Sequence, residues 1–382
     1  MKRLHLLSAG LVCLLLAGCG FFGDGGDAIK PSPLVDFEPQ KQVKVLWSVN
    51  VGEGLGSKYQ QIQPVVGEDA VYATDVEGNV FAYRRDSGEL IWQQSLQQTI
   101  VGGVGAGFGQ LAVAAENGEV IVLNAEDGTE LWRATLNSES IVPAQFNKEI
   151  VVFQVITGNL VAFNAQTGQR LWTFDTQIPG LTLRGTSSPI VAADVTFAGF
   201  ANGKFIAIDN NKGVELWDVR VALPEGRSEL ERLVDIDARA LLVDKTLYVN
   251  SFQGRLVAIN PFRAEILWSK DISSHRAMAS GFGNIYVSEA NDAVQAFDLG
   301  SSASVWQQTQ LANRQITAPT VLGNAVAVGD SEGYIHFMSQ VDGSFVARHR
   351  IDSYGLSGAP VSSDDVLYMM SDNGRLVALT LE

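Results

Sequence analysis

GNLVAFNAQTGQRLW, residues 158–172, is one copy of the unit that decides this fold. Gly158 opens a short apolar strand, a second turn ends on Gly168, and Trp172 follows four residues later. Strands of the same design open at Gly78, Gly118, Gly203, Gly254, Asp292, Gly333 and Gly374, which makes eight copies with Asp292 standing in for one glycine. The fourth residue after the turn is alanine in six of them (Ala82, Ala162, Ala207, Ala258, Ala296, Ala378), which predicts a crowded contact where one unit packs on its neighbour. The tryptophan spacing recurs from Gly88 to Trp92, Gly128 to Trp132 and Gly213 to Trp217. Ala264 to Trp268 and Ser302 to Trp306 keep it without glycine, and Gly343 is followed by Ala347 where tryptophan is due. Glycine accepts the positive φ that tight hairpin turns demand. Each unit therefore reads as a four-stranded antiparallel meander, too small to bury both of its faces alone.

One tryptophan lies outside the series. Trp47, in VLWSVNV at residues 45–51, has no repeat ahead of it, whereas the repeat at Gly374 reaches the C-terminus without a tryptophan strand after it. Joining the two completes a last unit and removes two exposed strand edges together. The expected fold is all-β: an eight-bladed β-propeller of four-stranded antiparallel blades, closed by pairing the N-terminal strand with the last blade. A seven-bladed ring or an open solenoid would leave one of these strands unpaired.

The N-terminus reads as an address. Lys2 and Arg3 precede an apolar run at residues 6–16, too short to span a bilayer, and Leu16-Ala17-Gly18-Cys19 resembles a bacterial lipobox. The expected organisation is a lipoprotein signal at 1–18, a lipidated Cys19 with a flexible Gly/Pro-containing tether at 19–42, and the propeller at 43–382. Gly20 differs from the aspartate of an inner-membrane retention signal, so the same resemblance implies the outer membrane, with the protein facing the periplasm. The only other cysteine is Cys13 inside the signal, so the folded body can hold no disulfide and no thiolate site.

The net charge of −15 becomes more negative once Lys2 and Arg3 are removed. Nucleic acid and anionic lipid both reward a basic face, so this composition argues against either as a partner and leaves membrane attachment to the acyl group. His275, His336 and His349 lack metal-ligand spacing, and acidic pairs such as Asp364/Asp365 or Asp235/Asp237 read as solvated loop carboxylates. No catalytic residue, metal site or cofactor is expected. VGGVGAGFGQ at residues 101–110 lacks the Lys-Ser/Thr ending of a phosphate loop and reads as a connection between blades.

VAFNAQTGQRLW (161–172) and IAIDNNKGVELW (206–217) resemble the tryptophan-docking motif of quinoprotein dehydrogenase propellers. That resemblance covers the body but names a fold, not a reaction. A quinone-dependent periplasmic dehydrogenase is the alternative function. It is disfavoured because the vicinal cysteine pair typical of those enzymes has no counterpart here.

Loop length points elsewhere. From each tryptophan position to the next repeat the connections are mostly close to 26 residues, but Trp172 to Gly203 spans 31 and Trp217 to Gly254 spans 37. These two excursions leave the same strand of consecutive units and should project side by side, where extra length on a rigid scaffold often carries function. The first, QIPGLTLRGTSSP at 177–189, places Leu181 and Leu183 beside Arg184; the second, at 224–240, carries Asp235 and Asp237. Apolar anchors with a guanidinium suit a protein interface, while leucines packed inward with carboxylates capping a turn is the other reading. The lipobox, the tether, the eight-fold propeller and the strings LTLRG and RLVDID together resemble the BamB family, lipoprotein subunits of the outer-membrane β-barrel assembly machine. The resemblance implies a non-enzymatic scaffold. In it Leu181, Leu183, Arg184, Asp235 and Asp237 form the contact for BamA, the barrel-bearing subunit with periplasmic POTRA domains, and unfolded barrel precursors are the further partners it implies.

Overall fold

A computed structural model describes residues 30–56, 62–183 and 185–382; among them there is no helix. Eight four-stranded antiparallel sheets follow one another round a ring. Blades one to seven occupy residues 65–95, 100–135, 145–174, 190–220, 241–272, 279–308 and 320–350. Blade eight takes three strands from 361–381 and its outermost strand, Val43–Asn50, from the other end of the chain. That strand runs antiparallel to Arg375–Leu381, from Val43 opposite Leu381 to Asn50 opposite Arg375. The ring is thus an eight-bladed propeller, closed as the lone tryptophan strand requires.

The repeat works through a volume rule inside each blade. In six blades an alanine lies directly across from the tryptophan of the outer strand, as Ala82 faces Trp92, Ala162 faces Trp172, Ala258 faces Trp268 and Ala378 faces Trp47, while in blade two Val122 faces Trp132. Directly opposed residues project from the same side of a sheet. The small side chain therefore makes room for the indole of its own blade, where a contact between blades was expected. Blade seven inverts the pair, with Phe337 facing Ala347.

Each indole then locks its blade to the next one. A Cβ placed on Gly168 would lie 2.6 Å from the Trp132 ring, and Gly168 sits at φ +70°, so both contact and backbone call for glycine. Six of the indole N–H groups donate to a backbone carbonyl of the following blade, among them Trp132 to Ala165 at 2.8 Å and Trp172 to Asn210 at 2.7 Å, while Trp217 packs with Ala264 and Ile266 of the next blade. Burying one such ring contributes on the order of 4 kcal/mol relative to leaving it in water. Asp292 holds the repeat turn at φ +63°, a conformation aspartate tolerates, while its carboxylate accepts the Gln315 and Ile316 N–H groups and pairs with Arg276 at 3.0 Å. The substitution that broke the glycine series is therefore a tie to the next connection.

The glycine run at 101–110 is not a connection. Ile100–Gly107 is the innermost strand of blade two. Near the axis the blades converge, and a Cβ on Gly102 or Gly105 would come within 2.3 Å of the Ser140 carbonyl oxygen or 2.1 Å of that of Ala144. Glycine there serves close approach of two backbones.

Meanders alternate their turns between the two ends of the ring. One end, called here the connection face, carries the links between blades and the turns between second and third strands. Backbone bonds join them, such as Leu55 N–H to the Asp372 carbonyl and Ile100 N–H to that of Val76. The other end carries the remaining turns.

Candidate partner-binding site

The two long connections lie side by side on the connection face, following the outer strands Arg170–Phe174 and Glu215–Arg220. They are stitched together. The Leu183 N–H donates to Asp235 Oδ2 at 2.6 Å, and the Ser187 hydroxyl donates to the Ala238 carbonyl at 2.9 Å. A Cβ on Gly185 would sit 2.2 Å from the Asp237 carboxyl carbon, so that glycine lets the two chains close on one another. Leu233, Val234 and Ile236 are buried and anchor the second connection, whose Ile236 N–H reaches the Phe200 carbonyl. A capping box shapes its tip: Glu231 accepts the Arg227 and Ser228 N–H groups, and Ser228 accepts the Glu231 N–H.

The residues singled out in the sequence separate into two layers. Leu181 and Leu183 are surface residues, 37% and 38% exposed. Asp235 and Asp237 are buried behind them at 0% and 5%. The carboxylates thus present no charge to solvent; Asp235 instead sets the position of the Leu183 backbone. Arg184, Cys19 and the signal fall outside the described residues. Sequence reasoning missed Leu223 and Leu230, which stand 56% and 66% exposed on the second connection. Their signal was available, because a leucine on a long surface excursion lacks the alternation that tucks an apolar residue into a strand.

Burial gives the acidic pair unusual electrostatics. Loss of hydration raises the Asp235 carboxyl from 3.8 to about 6. The same cause, reinforced by the Asp235 charge, raises Asp237 to about 8. The folded state favours the protonated forms, so the stability they contribute is complete below about pH 4 and is lost as pH rises through about 6 and then about 8. Asp237→Asn should therefore melt at a higher temperature than the parent, by a margin that grows from pH 5 to pH 8.5. A thermal-melt series over that range checks this, and a margin independent of pH would contradict it. Among the described residues no group of three or more histidine, cysteine or acidic side chains could hold a metal ion.

A family profile described as outer membrane protein assembly factor BamB matches residues 39–104 and 76–308. Outer membrane protein assembly factor BamB of Pseudomonas aeruginosa is 40% identical over 373 residues, 98% of each chain. The crystal structure of BamB from Moraxella catarrhalis superposes with a TM-score of 0.83 at 24% identity, over 89% of this chain and 100% of that one. A quinohemoprotein alcohol dehydrogenase from Comamonas testosteroni reaches 0.71 at 14% identity, over 88% of this chain and 76% of its own, a likeness of fold alone. With a family profile spanning most of the ring and a relative this similar along nearly its whole length, the chain belongs to the BamB family of outer membrane protein assembly factors.

Proposed function

We propose that this chain is a non-enzymatic scaffold lipoprotein of the outer-membrane β-barrel assembly complex. It is anchored through Cys19, with residues 1–18 removed, and docks on the POTRA domains of BamA. The observation that carries this reading is the pair of stitched connections, which holds exposed leucines on a rigid face while Asp235 fixes their backbone from behind. Interfaces draw most of their energy from a few well-packed, desolvated anchors ringed by near-neutral contacts, and a preorganised loop loses little entropy on binding. A rigid disc on a mobile multidomain partner restricts that partner's orientations. Barrel precursors are thereby presented to the insertion site in fewer arrangements.

The test combines purification and fractionation. Solubilised membranes should yield the protein together with the barrel-bearing subunit, and Cys19→Ser should move it to the soluble periplasmic fraction with its propeller still folded. A Cys19→Ser protein that still sediments with membranes through high salt, in cells lacking the partner, would overturn the anchor. Recovery of the intact protein without that subunit would overturn the docking.

A further inference from the structure

Residues 32–42, expected to be free tether, are laid against blade seven. At their C-terminal end Gln42 exchanges two backbone hydrogen bonds with Glu382, on the face opposite the connections, where Val43–Asn50 begins. The Gln40 and Lys41 N–H groups donate to the Val346 carbonyl at 2.9 and 3.1 Å. Phe37 packs against Phe345 in a tilted pair with ring centroids 5.5 Å apart, and the Arg348 guanidinium lies 5.0 Å from the centre of the Phe37 ring. Arg348 also donates to the Val35 carbonyl at 3.0 Å. At the other end Ser32 bonds through its N–H to the Ala312 carbonyl and through its own carbonyl to Arg314. Ala312 and Arg314 belong to the link between blades six and seven, on the connection face. The segment therefore climbs the outer wall of the disc from one face to the other.

Its fastening is a buried ion network rather than a casual contact. Arg314 is 1% exposed; it binds Asp330 at 2.7 Å, pairs with Glu332, and donates to the Ser32 carbonyl at 2.7 Å. His336, fully buried, bonds Asp330 through Nε2 at 2.7 Å and accepts Arg348 Nε at Nδ1. The absence of a docking tryptophan in this blade fits the same picture. The wall beside Ala347 is where residues 40 and 41 come in over Val346, the one residue preceding a tryptophan position that is buried, whereas Ile91, Leu131, Leu171 and Leu216 are about half exposed.

We propose that residues 32–42 are a clasp that moves the membrane attachment from the face where the closing strand starts to the connection face, turning the face that bears Leu181 and Leu183 toward the lipid surface. The inference rests on the reading of Cys19 as the anchor. With the clasp closed, the thirteen steps from Cys19 to Ser32 reach about 45 Å at full extension; released, the chain to Val43 reaches about 80 Å and leaves from the opposite face. The body is acidic and gains nothing by adsorbing to an anionic bilayer, so the point of attachment decides which side lies nearer.

The experiment uses protein beginning at Cys19, coupled through that thiol to a maleimide lipid in vesicles carrying an acceptor fluorophore. A donor is introduced as a non-natural amino acid at Ala290 on the connection face or at Phe282 on the other, both exposed in blade six. Energy transfer to the membrane should be at least twofold stronger from position 290. In the variant Phe37→Ala/Gln40→Pro that preference should vanish or reverse, together with loss of exchange protection at Lys41. A glycine-serine insertion at residues 24–25, which leaves the clasp closed, should weaken both signals and keep their order. Equal or stronger transfer from position 282 in the parent, or an unchanged preference once Lys41 has lost protection, would overturn the clasp. Because coupling is chemical, failure of cells to lipidate Cys19 would sink the anchor reading without touching this result.

Discussion

Deleting residues 43–50 should lower the melting temperature by roughly 10 °C or more and broaden the transition, the largest loss expected from any short segment. The strand supplies the whole outer edge of blade eight, and its Trp47 is 8% exposed. That indole lies 5.9 Å from Tyr368, packs over Gly88 and donates to the Arg85 carbonyl at 3.0 Å, so it joins the last blade to the first. Truncating a buried tryptophan alone costs about 3–5 kcal/mol. Here the loss adds an opened strand edge on Arg375–Leu381. The clasp variant, which leaves the ring closed, should lose far less. Calorimetry on both proteins decides the matter: a deletion mutant as stable as the parent would mean that the closing strand contributes nothing to the ring.

The second large effect is on association. Leu181→Asp with Leu183→Asp should weaken BamA binding by about 2 kcal/mol or more, roughly thirtyfold, with the melting temperature nearly unchanged because both side chains are at the surface. Arg184→Ala, in the same connection, should weaken it by a similar amount. Asp235→Ala should reduce affinity by a different route, since it removes the acceptor that positions the Leu183 N–H. Charge reversals at the exposed Glu126 and Lys245 should cost under about 1 kcal/mol. Affinity and melting temperature measured on the same purified variants separate contact from bracing. Wild-type affinity in the leucine double mutant would remove the two connections from the interface.

The architecture was legible because its determinants are local and repeated. Turn glycines need positive φ, the tryptophans recur at a fixed distance from a turn, and Trp47 without a repeat ahead of it needs the unfinished unit at Gly374, whereas the repeated alanines face an indole of their own blade and not the neighbouring unit. The glycine run at 101–110 was misread because crowding at the ring axis is a tertiary effect, invisible in a stretch that looks like any glycine-rich loop. The candidate site was legible in its loop lengths and its leucines. Its layering was not, because Asp235 and Asp237 read as surface carboxylates until two connections close over them. The clasp escaped for a related reason: residues 32–42 have the composition of a linker, and only the buried Arg314 and the missing tryptophan at Ala347 reveal a dock.

Ala347 has one more consequence. A linear array of repeats frays from its ends, whereas a ring has none, so freeing any blade means breaking two joints at once. Seven joints in this ring are held by an indole, and the eighth, between blades seven and eight, is not. That joint also borders the place where Gln42 and Glu382 bring the two arms of the chain together. The circle therefore carries a built-in seam, and thermal breathing should begin there, beside the docked segment at residues 32–42.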